Sequence, residues 1–323
     1  MFRKRIQLSL ISTFLVLSAC SGGGGGTGPT TTTVQPTARP VAPGFILTTP
    51  TPDPGYAEPL TDGYNPNPVV QFASYNKILR ALATDSYDYV LKEYDAGGLK
   101  LTAVKAENDF ADYPVNYSIV ALLQGSGQVG LRNKLVIDVS NAQKKNIIDK
   151  TLKHILIYGA RFSANRLMDF NRTAAASQNP KYTTELAANA GVYFYGTENA
   201  TIAENSIAQL AQKIDSDNAA STYNTIASGI QQLQKSASGD YKGTVDGRNM
   251  LEKGLLKMLY IATLEKAAVA IPAKNADGLD DAELYYIGIK EQVKTLDNIK
   301  VTKIESLLGG RDFRELDYPT FQK

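Results

Sequence analysis

Histidine and cysteine each occur once in these 323 residues, and tryptophan does not occur at all. A His- or Cys-rich zinc centre needs several such ligands, and the chain has one imidazole, His154, and one thiol, Cys20. The HExxH motif needs two histidines and is excluded. So is any Ser-His-Asp triad that does not use His154. A single cysteine forms no disulfide within the chain, so packing alone must hold the fold. Charge of one sign is also missing. The 34 Lys+Arg residues against 32 Asp+Glu leave a net charge of only +2, with no basic excess to neutralise a phosphate backbone. Nucleic acid is therefore not expected as a partner. The apolar stretch Leu251 to Ile271 is interrupted by Lys257, Glu265 and Lys266, which argues against a membrane span and for a central helix surrounded by others. Proline is scarce beyond the first fifth of the chain, since ten of the fourteen lie before residue 69.

What the chain does have begins at its N-terminus. Arg3, Lys4 and Arg5 precede an apolar run from Ile6 to Leu17, followed by Leu17-Ser18-Ala19-Cys20. A basic segment, a short apolar core and small residues are the parts of a secretory signal. The run is too short to span a bilayer, which takes about 20 apolar residues. Residues 17–20 are similar to the lipobox of bacterial lipoproteins: an aliphatic residue, two small residues, then the cysteine that receives lipid. The resemblance implies a thioether-linked lipid on Cys20, removal of residues 1–19 and acylation of the new N-terminus. Ser21 follows, where an Asp would imply inner-membrane retention, so the implied destination is the outer membrane, with the domain facing the periplasm or the outside. One acyl chain binds a membrane reversibly and two or more hold it stably. The removed leader carries three basic and no acidic residues, so the remainder would hold 31 basic against 32 acidic residues.

Residues 20–54 read as a linker, with Gly22 to Gly26 unbroken glycine, Thr30 to Thr33 unbroken threonine, and prolines at 29, 36, 40, 43, 50, 52 and 54. Such a segment buries too little apolar surface to offset its chain entropy. Fully extended it would reach roughly 100 Å, and as a flexible coil about 30 Å.

Residues 55–323 read as an all-α domain, an irregular bundle of about 8–10 helices with room for one or two short strands. Asn67 is placed to cap a helix with Pro68 at its first position, and Phe72, Tyr75, Leu79 and Leu82 then share a face. Tyr87, Val90, Leu91 and Tyr94 form a second stripe. Ser140 with Gln143 makes a capping box ahead of Ile148, Leu152, Ile155 and Phe162. Pro180 marks a break, and a helix over 185–195 should close at Gly196. Thr201 with Glu204, Asp280 with Glu283 and Thr302 with Glu305 read as three further boxes. Tyr223, Ile226, Ile230 and Leu233 form another stripe, and Pro272 should end the helix that starts near Leu251. Leu99–Val104 and Lys134–Val139 are the two strand candidates. No fixed-period repeat is present.

Candidate chemistry is sparse. His154 lies in a long helical stretch and reads as a surface or edge residue. The general layout, a lipid anchor and then a helical domain, resembles the imelysin-type lipoproteins linked to iron uptake. Their Gly-x-His-x-x-Glu signature is missing: Leu152 and Ile157 stand where the glycine and glutamate belong. The segment from Gly125 to Gly130 matches GxGxxG, which signals a dinucleotide only between a strand and a helix; Tyr117 to Leu123 would have to be that strand. Asn275 to Asp281 has the acidic, Gly-containing look of a calcium loop, but aligning Gly278 with its sixth position puts Ala273 and Leu284 where carboxylates are required. An exposed turn leading to a helix cap at Asp280 is expected instead. Glu107, Asp109 and Asp112 read as a solvated loop or helix face, and Lys144, Lys145, Lys150 and Lys153 as the wet side of their helix.

Tyrosine is abundant, at 18 residues. Its ring and hydroxyl suit contact surfaces, so Tyr87, Tyr89, Tyr94, Tyr193 and Tyr195 are the candidate binding residues, while the same residues suit helix packing equally well. The expectation is a non-catalytic, lipid-anchored envelope protein that binds a protein or envelope polymer and needs no cofactor. The alternative is an imelysin-like binder of metal or a small ligand.

Overall fold

A computed structural model describes residue 64 and residues 66–109, 115–129, 134–173, 179–296 and 298–309. Cys20, the leader and the linker lie outside them, as do Asp112 and Gly130. The described residues form an all-α, multi-helix fold of twelve helices with one two-stranded hairpin.

The helices are α1 (Pro68–Ala83), α2 (Tyr87–Ala96), α3 (Leu99–Asp109), α4 (Val115–Gln124), α5 (Asn141–Arg172), α6 (Pro180–Tyr195), α7 (Ile207–Asn218), α8 (Thr222–Lys235), α9 (Tyr241–Ala270), α10 (Ala276–Ile287), α11 (Lys290–Leu296) and α12 (Asn298–Gly309). Between α4 and α5, β1 (Gln128–Val129) pairs antiparallel with β2 (Lys134–Leu135), which runs into a 3₁₀ turn at Val136–Asp138.

Two long helices carry the core. At 32 and 30 residues, α5 and α9 extend about 48 and 45 Å at 1.5 Å per residue. Helices α3, α4, α6, α9, α10 and α1 all pack on α5, while α8 and α10 pack along α9. Ile148, Leu152, Ile155 and Leu167 on α5 and Leu255, Met258 and Leu259 on α9 are fully or almost fully buried. Each such side chain contributes about 1.5–3 kcal/mol by leaving water. The helix α9 that the sequence places at the centre starts at Tyr241, and it stops at Ala270 ahead of Pro272.

Local chemistry sets several ends. Asn67 Oδ1 accepts from the Val70 N–H with Pro68 at the first position of α1. Ser140 and Gln143 form the reciprocal capping box of α5. Gly196 closes α6 in the left-handed region, at φ 80°. Pro180 is the first residue of α6 rather than a break, with Asn179 as its cap.

Other expectations are corrected. Leu99–Val104 is not a strand but the start of α3. Its buried residues, Leu99, Thr102, Ala103 and Ala106, follow helical spacing, although the local apolar–polar alternation looks strand-like. Lys134–Val139 contributes only two strand residues. Three of the four expected boxes do not cap helices. Ser206, bonded to the Gln209 N–H, caps α7 in place of Thr201. Asn275 caps α10, leaving Asp280 inside the helix. Thr302 lies within α12. The twelve helices among the described residues include α3 and α4, stretches where the sequence alone places no helix.

Helices α8 and α9 approach backbone to backbone. A Cβ on Gly229 would lie 2.5 Å from the Leu251 nitrogen and 2.7 Å from the Gly247 oxygen. A similar close approach places the Tyr193 ring over Gly159, where a Cβ would sit 2.4 Å from Cζ.

Candidate functional site

The five tyrosines singled out by sequence do not share one environment. Tyr94, Tyr193 and Tyr195 are buried. Tyr94 donates to Asn116 Oδ1 at 3.0 Å, and Tyr193 donates to Gln71 Oε1 at 2.8 Å. Tyr195 stacks edge-on to Phe194 at 4.8 Å. Desolvation raises the pKa of all three phenols, so their hydroxyls stay protonated. These three side chains hold helices together.

Tyr87 and Tyr89 remain at the surface, both on α2. Tyr89 is 45% exposed, and its hydroxyl donates to Glu93 Oε2 at 3.4 Å. Glu93 is fixed in turn by Ser74 Oγ at 2.7 Å and Lys77 Nζ at 3.0 Å. The Ser74 hydrogen bond leads the influences that lower the Glu93 pKa, ahead of an opposing desolvation and the Lys77 ammonium. Tyr87 is half-buried, and its hydroxyl reaches Asp85 Oδ1 at 3.2 Å. The Lys144 ammonium sits 4.0 Å over the Tyr87 ring, a cation–π contact worth about 0.5–1 kcal/mol at an exposed place. Lys145 pairs with Asp85 at 3.1 Å. Asp85, Tyr87, Lys144 and Lys145 thus form a mixed aromatic and charged surface where the start of α2 meets the start of α5, while Tyr89, two positions on, turns to another side of α2 with Glu93 and Lys77. The surface presents a ring held by its neighbours, both signs of charge and no nucleophile–base pair.

The other candidates sort as follows. His154 is not at a surface or edge: it is 3% exposed, with Nε2 2.6 Å from the Leu284 carbonyl. Lys150 is not on a wet face either. It is buried and bonded to Asp281 Oδ1 at 2.9 Å, and Asp281 also takes Lys266 at 3.1 Å and a hydrogen bond from Asn146. Burial lowers the Lys150 pKa. Burial would raise that of Asp281, but the Lys150 ammonium and its hydrogen-bond partners hold it below the carboxylate norm. Lys153 is half-buried beside Asp149, which also accepts from Tyr75 at 2.6 Å. Glu107 and Asp109 lie on the exposed side of α3, where Glu107 accepts from the Tyr117 N–H and Asp109 from Lys105 and Tyr158.

The GxGxxG segment has the wrong neighbours for a dinucleotide. Helix α4 precedes it and β1 lies within it, so Tyr117 to Leu123 is no strand. Gly125 and Gly127 take φ of 69° and 104° to turn the chain into the hairpin. Asp280 is not the end of an exposed turn: it is buried and accepts from Gln143.

Sequence reasoning missed one ionic pair altogether. Arg161 on α5 and Glu252 on α9 are 6% and 4% exposed, and they meet through two bonds of 2.9 Å. Isolated charged residues in apolar helix stretches were the available signal. Among the described residues, no group of three or more His, Cys, Asp or Glu side chains is placed to hold a metal ion. No described helix is long and apolar enough to cross a membrane. No family model matches the chain, and no curated protein and no solved structure matches it.

Proposed function

We propose that this chain is a lipid-anchored protein of the bacterial envelope, tethered through Cys20 to the outer membrane, whose helical domain binds a protein or envelope polymer without chemistry of its own. The observation that carries the reading is the order of features at the N-terminus: a basic segment, an apolar run, Leu17-Ser18-Ala19-Cys20 and a Gly/Thr/Pro-rich stretch ending near Pro54. A linker of that composition gives an anchored domain reach without a fixed orientation.

The contact surface that fits this role is the α2–α5 corner. Tyr and Lys there combine apolar area with hydrogen-bonding tips, the composition of a contact rim. Tyr87 is its aromatic member, and Tyr89 adds an exposed ring on another side of α2. The test is affinity capture of the full-length protein from solubilised native envelopes, next to a Tyr87→Ala/Tyr89→Ala double variant with an unchanged circular dichroism spectrum. An envelope component retained by the parent and lost by the variant supports the reading. Capture of nothing, or equal retention by both, counts against it.

A further inference from the structure

The turn at Gly288–Ile289 joins α10 to α11 and lies against the chain's one imidazole. His154 Nε2 is 2.6 Å from the Leu284 carbonyl. A carbonyl only accepts, so Nε2 carries the proton of a neutral ring. Leu284 sits in the last turn of α10, where helix carbonyls lack intrahelical partners. Arg161 lies two helical turns further along the same face of α5. Its Nη1 points to the Gly288 carbonyl at 3.4 Å. These two side chains tie the end of α10 and its turn to α5. There is no slack, because a Cβ on Gly288 would come within 2.7 Å of both His154 Cε1 and Leu259 Cδ1.

A second proton on His154 would place a cation in this layer. The buried charged groups on the packed helices are Arg161 and Lys150 on α5, Arg248 and Glu252 on α9, and Asp280 and Glu283 on α10, with Asp281 partly buried beside them. Arg161 is a permanent cation that repels the new charge. Glu252 already accepts two bonds from Arg161. Asp281 is taken by Lys150 and Lys266, and Asp280 by Gln143. Burial disfavours the charged ring.

We propose that His154 is an acid-sensitive latch, whose protonation loosens the α10–α11 turn from α5 before the rest of the domain opens. Local openings cost less than global unfolding. The proposal is independent of how the chain is anchored. Burial, with Arg161 adding and the Leu284 carbonyl opposing, pushes the His154 pKa from 6.5 down to about 4. The open turn binds the extra proton more readily than the closed one. The latch is therefore fully engaged above pH 6.5 and is lost as the pH falls towards 4. Between pH 7 and 5.5 the open-to-closed ratio should rise about eightfold.

Hydrogen–deuterium exchange of the full chain at those two pH values, corrected for intrinsic exchange, reads this ratio at residues 284–289. The expected result is an eightfold change in the parent and none in His154→Gln, which keeps an N–H donor but does not titrate. An equal change in both, or none in the parent, overturns the latch. Should the variant not fold, the parent's single imidazole Cε1–H resonance decides. Titration with a midpoint well below 5 supports the latch, and an ordinary midpoint near 6.5 in the folded protein refutes it.

Discussion

Replacing Gly229 with alanine sets two opposed effects against each other. Within a solvent-exposed helix, Gly→Ala stabilises by about 1 kcal/mol, because glycine loses more backbone entropy on folding. At Gly229 the new methyl would stand 2.5 Å from the Leu251 nitrogen and 2.7 Å from the Gly247 oxygen. Both atoms belong to the backbone of α9 and cannot rotate away. Restoring ordinary contact means moving α8 off α9 by close to 1 Å, and a gap of that size forfeits about a quarter to a half of the dispersion at facing atoms. Ile226, Ile230 and Leu233 on α8 and Leu251 and Leu255 on α9 are all buried in this region. Overpacking of this kind costs about 1–3 kcal/mol and loss of facing contacts adds to it, so the clash outweighs the propensity gain by about 1–2 kcal/mol. A domain of this size should lose about 2–8 °C in Tm. Urea and thermal unfolding followed by circular dichroism at 222 nm would measure it, with Ser228→Ala, an exposed neighbour on the same helix, as the control that should change stability by less than about 0.5 kcal/mol. If Gly229→Ala proves as stable as the parent or more so, the backbone contact between α8 and α9 is wrong.

The remaining predictions concern charge and surface. Arg161→Met leaves Glu252 as an uncompensated buried carboxylate and should cost about 3–5 kcal/mol, whereas Arg161→Met combined with Glu252→Leu should recover much of that loss; urea midpoints of the two variants decide, and equal destabilisation would contradict the pairing. Tyr89→Ala removes an exposed ring whose hydroxyl reaches only Glu93 by a long bond, so chemical denaturation should show a change within about 0.5 kcal/mol, while the proposed function predicts weaker capture of an envelope component.

Much of the fold was legible because it rests on neighbours in sequence. The Asn67–Pro68 start, the Ser140–Gln143 box, the Gly196 stop and the stripes of α1, α5 and α8 are all local patterns, and each is present. The false boxes at Asp280 and Thr302 show the limit of that signal. An acidic residue three places after Asp or Thr occurs inside helices as readily as at their starts, and the deciding residue was Asn275, five positions earlier. Leu99–Val104 alternates like a strand, but its burial follows the helix it joins.

The candidate site was less legible, since its parts come from distant segments. Tyr94 and Tyr193 are core residues because Asn116 and Gln71 receive their hydroxyls across 22 and 122 positions. Glycine at 159, inside a long helical stretch, marked a close approach that Tyr193 fills. Lys150 is buried because Asp281, 131 residues away, compensates it. Likewise His154 lies inside because the end of α10 needs a donor. Periodicity identifies a helix face but not the element that will cover it.

The lipid tether is tested most directly by mass spectrometry of the N-terminal peptide of the protein isolated from its native membranes. The account predicts a chain that begins at Cys20 and carries the added mass of a diacylglycerol and an acyl group. A chain that still begins at Met1, with an unmodified Cys20, would contradict it.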